Sequence, residues 1–288
     1  MSNHTSDIEN TEYSMQWHIM TALRTLKEAV KAAKTCILDN LDQAAELTGE
    51  VNPYGDKTLL LDVKAEDEII EVLHSSDIAF DILSEEKGLL KTARKPEYLA
   101  LVDPIDGSAN LKRGIPLVSL GIAIVPYSDT MSSDDAEISI IDSVFTDETY
   151  IAVKGKGVTR NGKKVKVADS IALENAIISY DTKRTFDPSF VESSVRTIKS
   201  VHDTRRTASN LLDLCWTAAG FLDGMVDVRN LLPIIHLCGT HMVFEAGGYV
   251  IGLDGKRFVS SLEPDVMMNF VAASNEELAR QILHAFQG

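Results

Sequence analysis

Apolar side chains recur at helical spacing at Trp17, Met20, Leu23, Leu26, Val30, Ala33, Ile37, Leu41 and Ala44, which predicts one long amphipathic helix, or two with a break, from Tyr13 to about Leu47. Residues 1–12 are polar and acidic and are expected to be loose. The stretch Gly49 to Lys57, with Pro53 and Gly55, reads as a loop, and a second helix follows from Asp62 to His74 with Val63, Ile69, Ile70, Val72 and Leu73 on its buried side. The period then shortens. Ile78 to Leu83 and Tyr98 to Val102 are strand-length apolar runs, and Leu117 to Pro126 is apolar enough for a strand buried on both faces. After an acidic loop at Met131 to Glu137, the segments Ile138 to Phe145 and Thr149 to Val153 form a hairpin pair. Asn161-Gly162 predicts a two-residue type I′ turn.

Beyond about Ala168 strands and helices alternate. Strands are expected at Ala176 to Tyr180, Met225 to Val228, Tyr249 to Gly252 and Met268 to Ala272. Helices are expected at Phe190 to Lys199, Leu211 to Ala219, Leu237 to Glu245 and Asn275 to Phe286. That alternation marks an α/β half over 166–288 following an α+β half over 13–165.

Charge narrows the partners. A formal net charge of −15 over 288 residues argues against nucleic acid or an anionic membrane as the main partner. No apolar run approaches the roughly 18 residues of a membrane span. The amino terminus has neither the basic start nor the apolar stretch of a signal peptide, so a cytoplasmic location is expected. Cys36, Cys215 and Cys238 lack metal-ligand spacing and read as buried thiols in a reducing compartment.

The chemistry concentrates at Leu101 to Asn110, where an apolar run stops at Asp103-Pro104-Ile105-Asp106-Gly107-Ser108. Taken alone, Asp, Pro and Gly after a strand are ordinary turn chemistry. Two neighbours change that reading. The strand before it ends in Ser84-Glu85-Glu86-Lys87-Gly88, and the second helix opens with Asp62. Hard divalent cations bind such convergent carboxylate and carbonyl oxygens on rigid backbone.

On these residues the chain resembles the magnesium-dependent, lithium-sensitive phosphatases that include inositol monophosphatase and fructose-1,6-bisphosphatase, of the archaeal and bacterial type. Asp103 to Asn110 matches the first signature of that family, with Ser108 in its Thr/Ser position, and Glu85-Glu86 and Asp62 match its upstream acids. The resemblance implies a layered α-β-α-β-α sandwich, mixed α+β and α/β, and hydrolysis of a small sugar or inositol phosphate by metal-activated water. It also implies Mg²⁺ as cofactor, a phosphorylated small-molecule substrate and a homodimer. Glu85, Asp103 and the Ile105 carbonyl are expected to hold the first metal, and Asp103 and Asp106 the second. Asp62, Glu85 and Ser108 take the catalytic roles. Asp106, Gly107, Ser108 and Arg205 are expected on the substrate side, with Arg206 an alternative to Arg205. The family's Gly at the position of Ala208 is absent here. The loop at Gly49 to Lys57 helps to bind a further metal in the family, and an unremarkable connector remains the other reading of it. His74, His202 and His241 are expected to be core or surface histidines.

One departure changes the picture. The family's second signature carries an Asp ahead of Glu-Ala-Gly-Gly, and that Asp completes the second metal site. Here Glu245 to Gly248 match but the Asp is missing. Counting forward from Val226-Asp227 puts His236 in its place, and counting back from Gly247-Gly248 puts Ile235 there. Imidazole suits Mn²⁺ or Zn²⁺ better than Mg²⁺. The alternative is a weakened or inactive homologue with a regulatory or ligand-binding role. A phosphatase of a nucleotide or sulfonucleotide phosphate is a third reading.

Overall fold

The computed structural model describes the backbone of residues 3–182 and 187–288, and side chains from residue 17 onward. The chain opens with α1 (Asn3–Asp39) and a hairpin of β1 (Leu47–Val51) and β2 (Lys57–Leu59), followed by α2 (Leu60–Ser75), β3 (Phe80–Ser84), β4 (Gly88–Leu90) and β5 (Tyr98–Asp106). Next come the single turn α3 (Ser108–Leu111), then β6 (Ser119–Pro126), β7 (Ile138–Ser143), β8 (Thr149–Val153), β9 (Gly157–Arg160) and β10 (Lys163–Val165). The remainder is β11 (Ile177–Tyr180), α4 (Pro188–Ser200), β12 (Asp203–Arg205), α5 (Asn210–Ala218) and β13 (Gly224–Pro233). A 3-10 turn at Ile234–His236 leads into α6 (Leu237–Glu245), β14 (Tyr249–Ile251), β15 (Met267–Ala273) and α7 (Glu276–Gln287).

Strands β3 to β10 form an eight-stranded sheet in the order β10-β9-β8-β7-β6-β5-β3-β4, and the C-terminal strands form a five-stranded sheet in the order β12-β11-β13-β15-β14. Side-chain alternation along the strands builds the layers. Ala100 and Val102 of β5 join the core under α1 and α2, while Leu99 and Leu101 join the core shared with α5 and α6. Met225 and Phe270 close that middle layer from the second sheet, and Val226 and Val271 face the outer layer of α4 and α7. The result is the expected α-β-α-β-α sandwich. The middle helices sit close to the first sheet, because a Cβ on Gly121 would fall 2.5 Å from Leu211 Cδ1 and 2.7 Å from Cys238 Sγ.

Several expectations need correction. The first helix begins at Asn3, not near Tyr13, and among its described side chains the buried apolar ones run from Ala22 to Ile37. Trp17 and Met20 are 56% and 67% exposed, and Leu41 lies in a 3-10 turn beyond the helix end, so the apolar spacing continues past the sheet that it packs on. Gly49 to Lys57 is not wholly loop. It holds part of the β1–β2 hairpin, whose connection is fixed by the Asn52 side chain accepting from the amides of Tyr54 and Asp56 at 3.1 and 2.9 Å. All five residues of β1 are exposed, so no in–out alternation marked it. The turn at Asn161-Gly162 is as expected, with φ of 49° and 77°.

Candidate metal-phosphate site

Backbone geometry brings the acids together. β3 and β5 run parallel with Ser84 opposite Val102, so Glu85 and Asp103 leave adjacent strand ends side by side. The β5–β6 register shifts between Asp103 and Asp106, where Pro104 can donate no ladder hydrogen bond. The chain then turns at Gly107 with φ of 100°, where a Cβ would lie 2.9 Å from the Leu117 carbonyl oxygen. Asp62 comes from the first turn of α2 and is 3% exposed.

Within this cluster Ser108 Oγ lies 3.3 Å from Asp62 Oδ1 and 3.0 Å from the Ile105 carbonyl oxygen, and its one proton serves one acceptor at a time. Asp103 is fully buried, and its Oδ1 accepts from the Ile105 amide at 3.1 Å. Among the described residues no hydrogen bond to Asp103 Oδ2 is formed. Behind the site, buried Glu66 accepts from the amides of Glu86 and Lys87 at 3.0 and 3.2 Å and so fixes the turn that carries Glu85.

Electrostatics follow from this crowding. Burial, then the charge of Asp106, pushes the Asp103 carboxyl well above the usual range. Burial, then Asp103, does the same to Glu85. Burial, then Glu86, pushes Asp62 up to about 8. Carboxylates held this close in buried space suit a cation. Their oxygen donor set fits a hard divalent ion.

The other end of the cluster is held from the C-terminal part of the chain. Asp106 Oδ2 accepts from Ser209 Oγ at 2.6 Å, the Leu211 amide at 2.6 Å and Ser119 Oγ at 3.3 Å, and Oδ1 accepts from the Asn210 amide at 3.1 Å. Asp106 therefore sits on the first turn of α5, where Ser209 is the N-cap. Sequence reading missed Ser119, Ser209 and the two amides. A Ser ahead of Asn-Leu-Leu was a legible cap, but nothing local pointed to a carboxylate 103 residues away.

The competition between Ile235 and His236 is settled by geometry. Ile235 is buried in the apolar middle layer, and His236 Nε2 lies 3.1 Å from Asp103 Oδ2 and 4.0 Å from Asp106 Oδ1. Asp103, Asp106 and His236 offer ligand atoms all within 4.8 Å of one another.

The substrate side is less assembled. Arg205 is exposed, pairs with Asp203 at 2.5 Å and donates to the Thr204 carbonyl. Among the described residues no hydrogen bond or ion pair ties it to the carboxylates. Arg206 pairs with Asp181 at 2.6 Å, and Arg229 bridges Asp181 and Asp227. Ala208 holds a left-handed φ of 62°, so the backbone keeps a glycine-like shape at the cost of strain. His241 is a core histidine, 2.8 Å from Ser139 Oγ, and burial pushes it down to about 4.

The layered sandwich and a carboxylate cluster on its strand ends define a protein of the sugar-phosphatase class. The family model for the inositol monophosphatase family matches residues 20–288, and the chain belongs to that family. It is 30% identical over 267 residues to a fructose-1,6-bisphosphatase/inositol-1-monophosphatase of Thermococcus kodakarensis, covering 92% of this chain and 96% of that one. It is also 30% identical over 235 residues to a fructose-1,6-bisphosphatase of Pyrococcus furiosus, covering 81% and 85%. A solved structure from Pyrococcus horikoshii, a hypothetical protein with similarities to inositol-1-monophosphatase, superposes with a TM-score of 0.75 at 28% identity, covering 94% of this chain and 98% of that one. The fold and family expected from Asp103 to Asn110 agree with these findings. Among the described residues no helix is long and apolar enough to cross a membrane.

Proposed function

We propose that the chain is a metal-dependent phosphomonoesterase acting on a small sugar or inositol phosphate, of the inositol 1-phosphate or fructose 1,6-bisphosphate class. The observation that carries this reading is the Ser108 hydroxyl shared between Asp62 and the Ile105 carbonyl, beside the buried Asp103 oxygen that faces the His236 imidazole. Glu85, Asp103 and the Ile105 carbonyl would hold a divalent ion, Mg²⁺ in this proposal. A bound ion supplies charge neutralisation for the phosphoryl group and a more acidic water. The chain's own residues do the rest. Ser108 Oγ accepts a proton from the attacking water while its own hydroxyl proton passes towards Asp62 Oδ1, and Glu66 keeps the Glu85 turn in place. The Gly107–Ser108 backbone turns beside Asp106 and orients the phosphate. Arg205, on the exposed edge strand β12, would meet substrate only by leaving Asp203. The homodimer belongs to the same proposal, and sedimentation equilibrium checks it.

The test is hydrolysis of p-nitrophenyl phosphate, inositol 1-phosphate and fructose 1,6-bisphosphate with Mg²⁺, Mn²⁺ and Zn²⁺ in turn. Turnover that Asp103→Asn removes supports the reading. No turnover with any ion, together with a gain in His236→Asp, favours instead a weakened homologue that retains a phosphate pocket. The observation on that side is the imidazole at residue 236 where the family has a carboxylate.

A further inference from the structure

We infer that His236 Nε2 is itself a metal ligand, so that the second cation position is an Asp103–Asp106–His236 site selective for a nitrogen-tolerant divalent ion such as Mn²⁺, Co²⁺ or Zn²⁺ over Mg²⁺. The inference deepens the phosphatase reading and rests on it only for the presence of a divalent cation at these carboxylates.

Each of the three side chains has one end fixed by protein and the other facing its neighbours in the cluster. Asp103 Oδ1 takes the Ile105 amide, and its buried Oδ2 is approached by the His236 imidazole, at 3.1 Å. Asp106 Oδ2 is filled by Ser209, Leu211 and Ser119, while Oδ1 takes only the Asn210 amide and faces His236. His236 Nδ1 lies 3.2 Å from the Pro233 carbonyl oxygen. A carbonyl only accepts, so Nδ1 is the nitrogen that carries a proton there, and Nε2 is the one left to face the carboxylates. A backbone carbonyl that fixes the tautomer in this way is the usual support of a metal-bound imidazole.

The three side chains offer ligand atoms that all lie within 4.8 Å of one another. Two donors bound to one ion at about 2.0–2.2 Å lie from about 2.9 Å apart at right angles to about 4.3 Å apart when opposed. The distances from Nε2 of 3.1 Å to Asp103 and 4.0 Å to Asp106 fall inside that window. Without a cation a proton on Nε2 can bridge to the Asp103 oxygen 3.1 Å away, and a bound ion takes the place of that proton. Ligand chemistry then sets the preference. Two carboxylates and a neutral imidazole carry one negative charge fewer than three carboxylates. Mg²⁺ depends on oxygen ligands and charge, whereas imidazole suits later divalent ions.

The metal-free full-length protein is titrated with Mn²⁺ and followed by electron spin-echo modulation from ligand nitrogen, and with Co²⁺ followed by visible absorption. Nitrogen modulation is expected in the natural chain and should change on ¹⁵N-histidine labelling. It should disappear in His236→Asp and His236→Gln. The ratio of Mn²⁺ to Mg²⁺ affinity should fall by about tenfold or more in His236→Asp. Absence of histidine nitrogen coupling in the natural chain overturns the inference, as does its persistence in both folded variants. The labelled natural chain decides alone should either variant fail to fold by circular dichroism. Nitrogen coupling without phosphatase turnover supports the site and overturns the phosphatase reading, and turnover without nitrogen coupling does the reverse.

Discussion

The two ends of the carboxylate cluster are built from opposite kinds of material. Asp62, Glu85 and Asp103 come from neighbouring elements of the first part of the chain and crowd like charges into buried space, which raises all three carboxyls. Asp106 is answered by a hydroxyl-capped helix start and by an imidazole, both supplied more than 100 residues later. One end stores repulsion that a cation relieves. The other has much of its charge already met by dipoles, so the proposed second metal position would need one carboxylate fewer.

Asp103→Asn should do most to break the contrast, because Asp103 serves both ends. Its loss should lower kcat/KM by about 10³-fold or more, several kcal/mol of charge stabilisation, and weaken metal binding at both positions in calorimetry. Asp62→Asn should sharpen the contrast by lowering kcat about 10²-fold while metal binding measured by calorimetry stays close to that of the natural chain. The same residue gives a pH test. Its folded value of about 8 lies above the ordinary 3.8, so the folded state binds more protons between those limits. The stabilisation from the protonated acid is complete at low pH and is lost as pH rises towards about 8. Thermal melts of the metal-free protein should therefore fall with rising pH across that range. Metal should flatten the trend, and so should Asp62→Asn.

Effects at the second end are smaller. Ser209→Ala removes an N-cap and one of the bonds on Asp106, so denaturation should show a loss of about 1–2 kcal/mol. Second-position metal affinity should drop about tenfold, with the first position unchanged. An equal loss at both positions would show that the two ends are not independent. Ala208→Gly relieves the left-handed strain just before that cap. It should change stability by no more than about 1 kcal/mol, in the stabilising direction, with KM unchanged.

The fold was readable wherever periodicity carried it. The helices near Asp62 and Leu237 and the continuous apolar strand at Leu117 to Pro126 lie close to where their patterns placed them, because core burial imposes those patterns. The β1–β2 hairpin was not readable, since an exposed strand held by an Asn52 side chain carries no alternation. Trp17 and Met20 fit the apolar spacing yet stay exposed for the converse reason: helical spacing says which face is apolar but not where its partner ends.

At the site, the sequence by itself determined the first end. Asp103-Pro104-Ile105-Asp106-Gly107-Ser108 is a local turn, so its carboxylates converge wherever the strand goes, and Glu85 follows from the strand that pairs beside it. Tertiary structure alone decided the second end. Counting along the chain left Ile235 and His236 level. The 3-10 turn at Ile234–His236 breaks the spacing on which such counting depends, burying Ile235 in the middle layer and turning the imidazole onto Asp103. The α5 cap on Asp106 is likewise a contact between sheet and helix layers. Packing chooses such a partner, and no residue spacing records it.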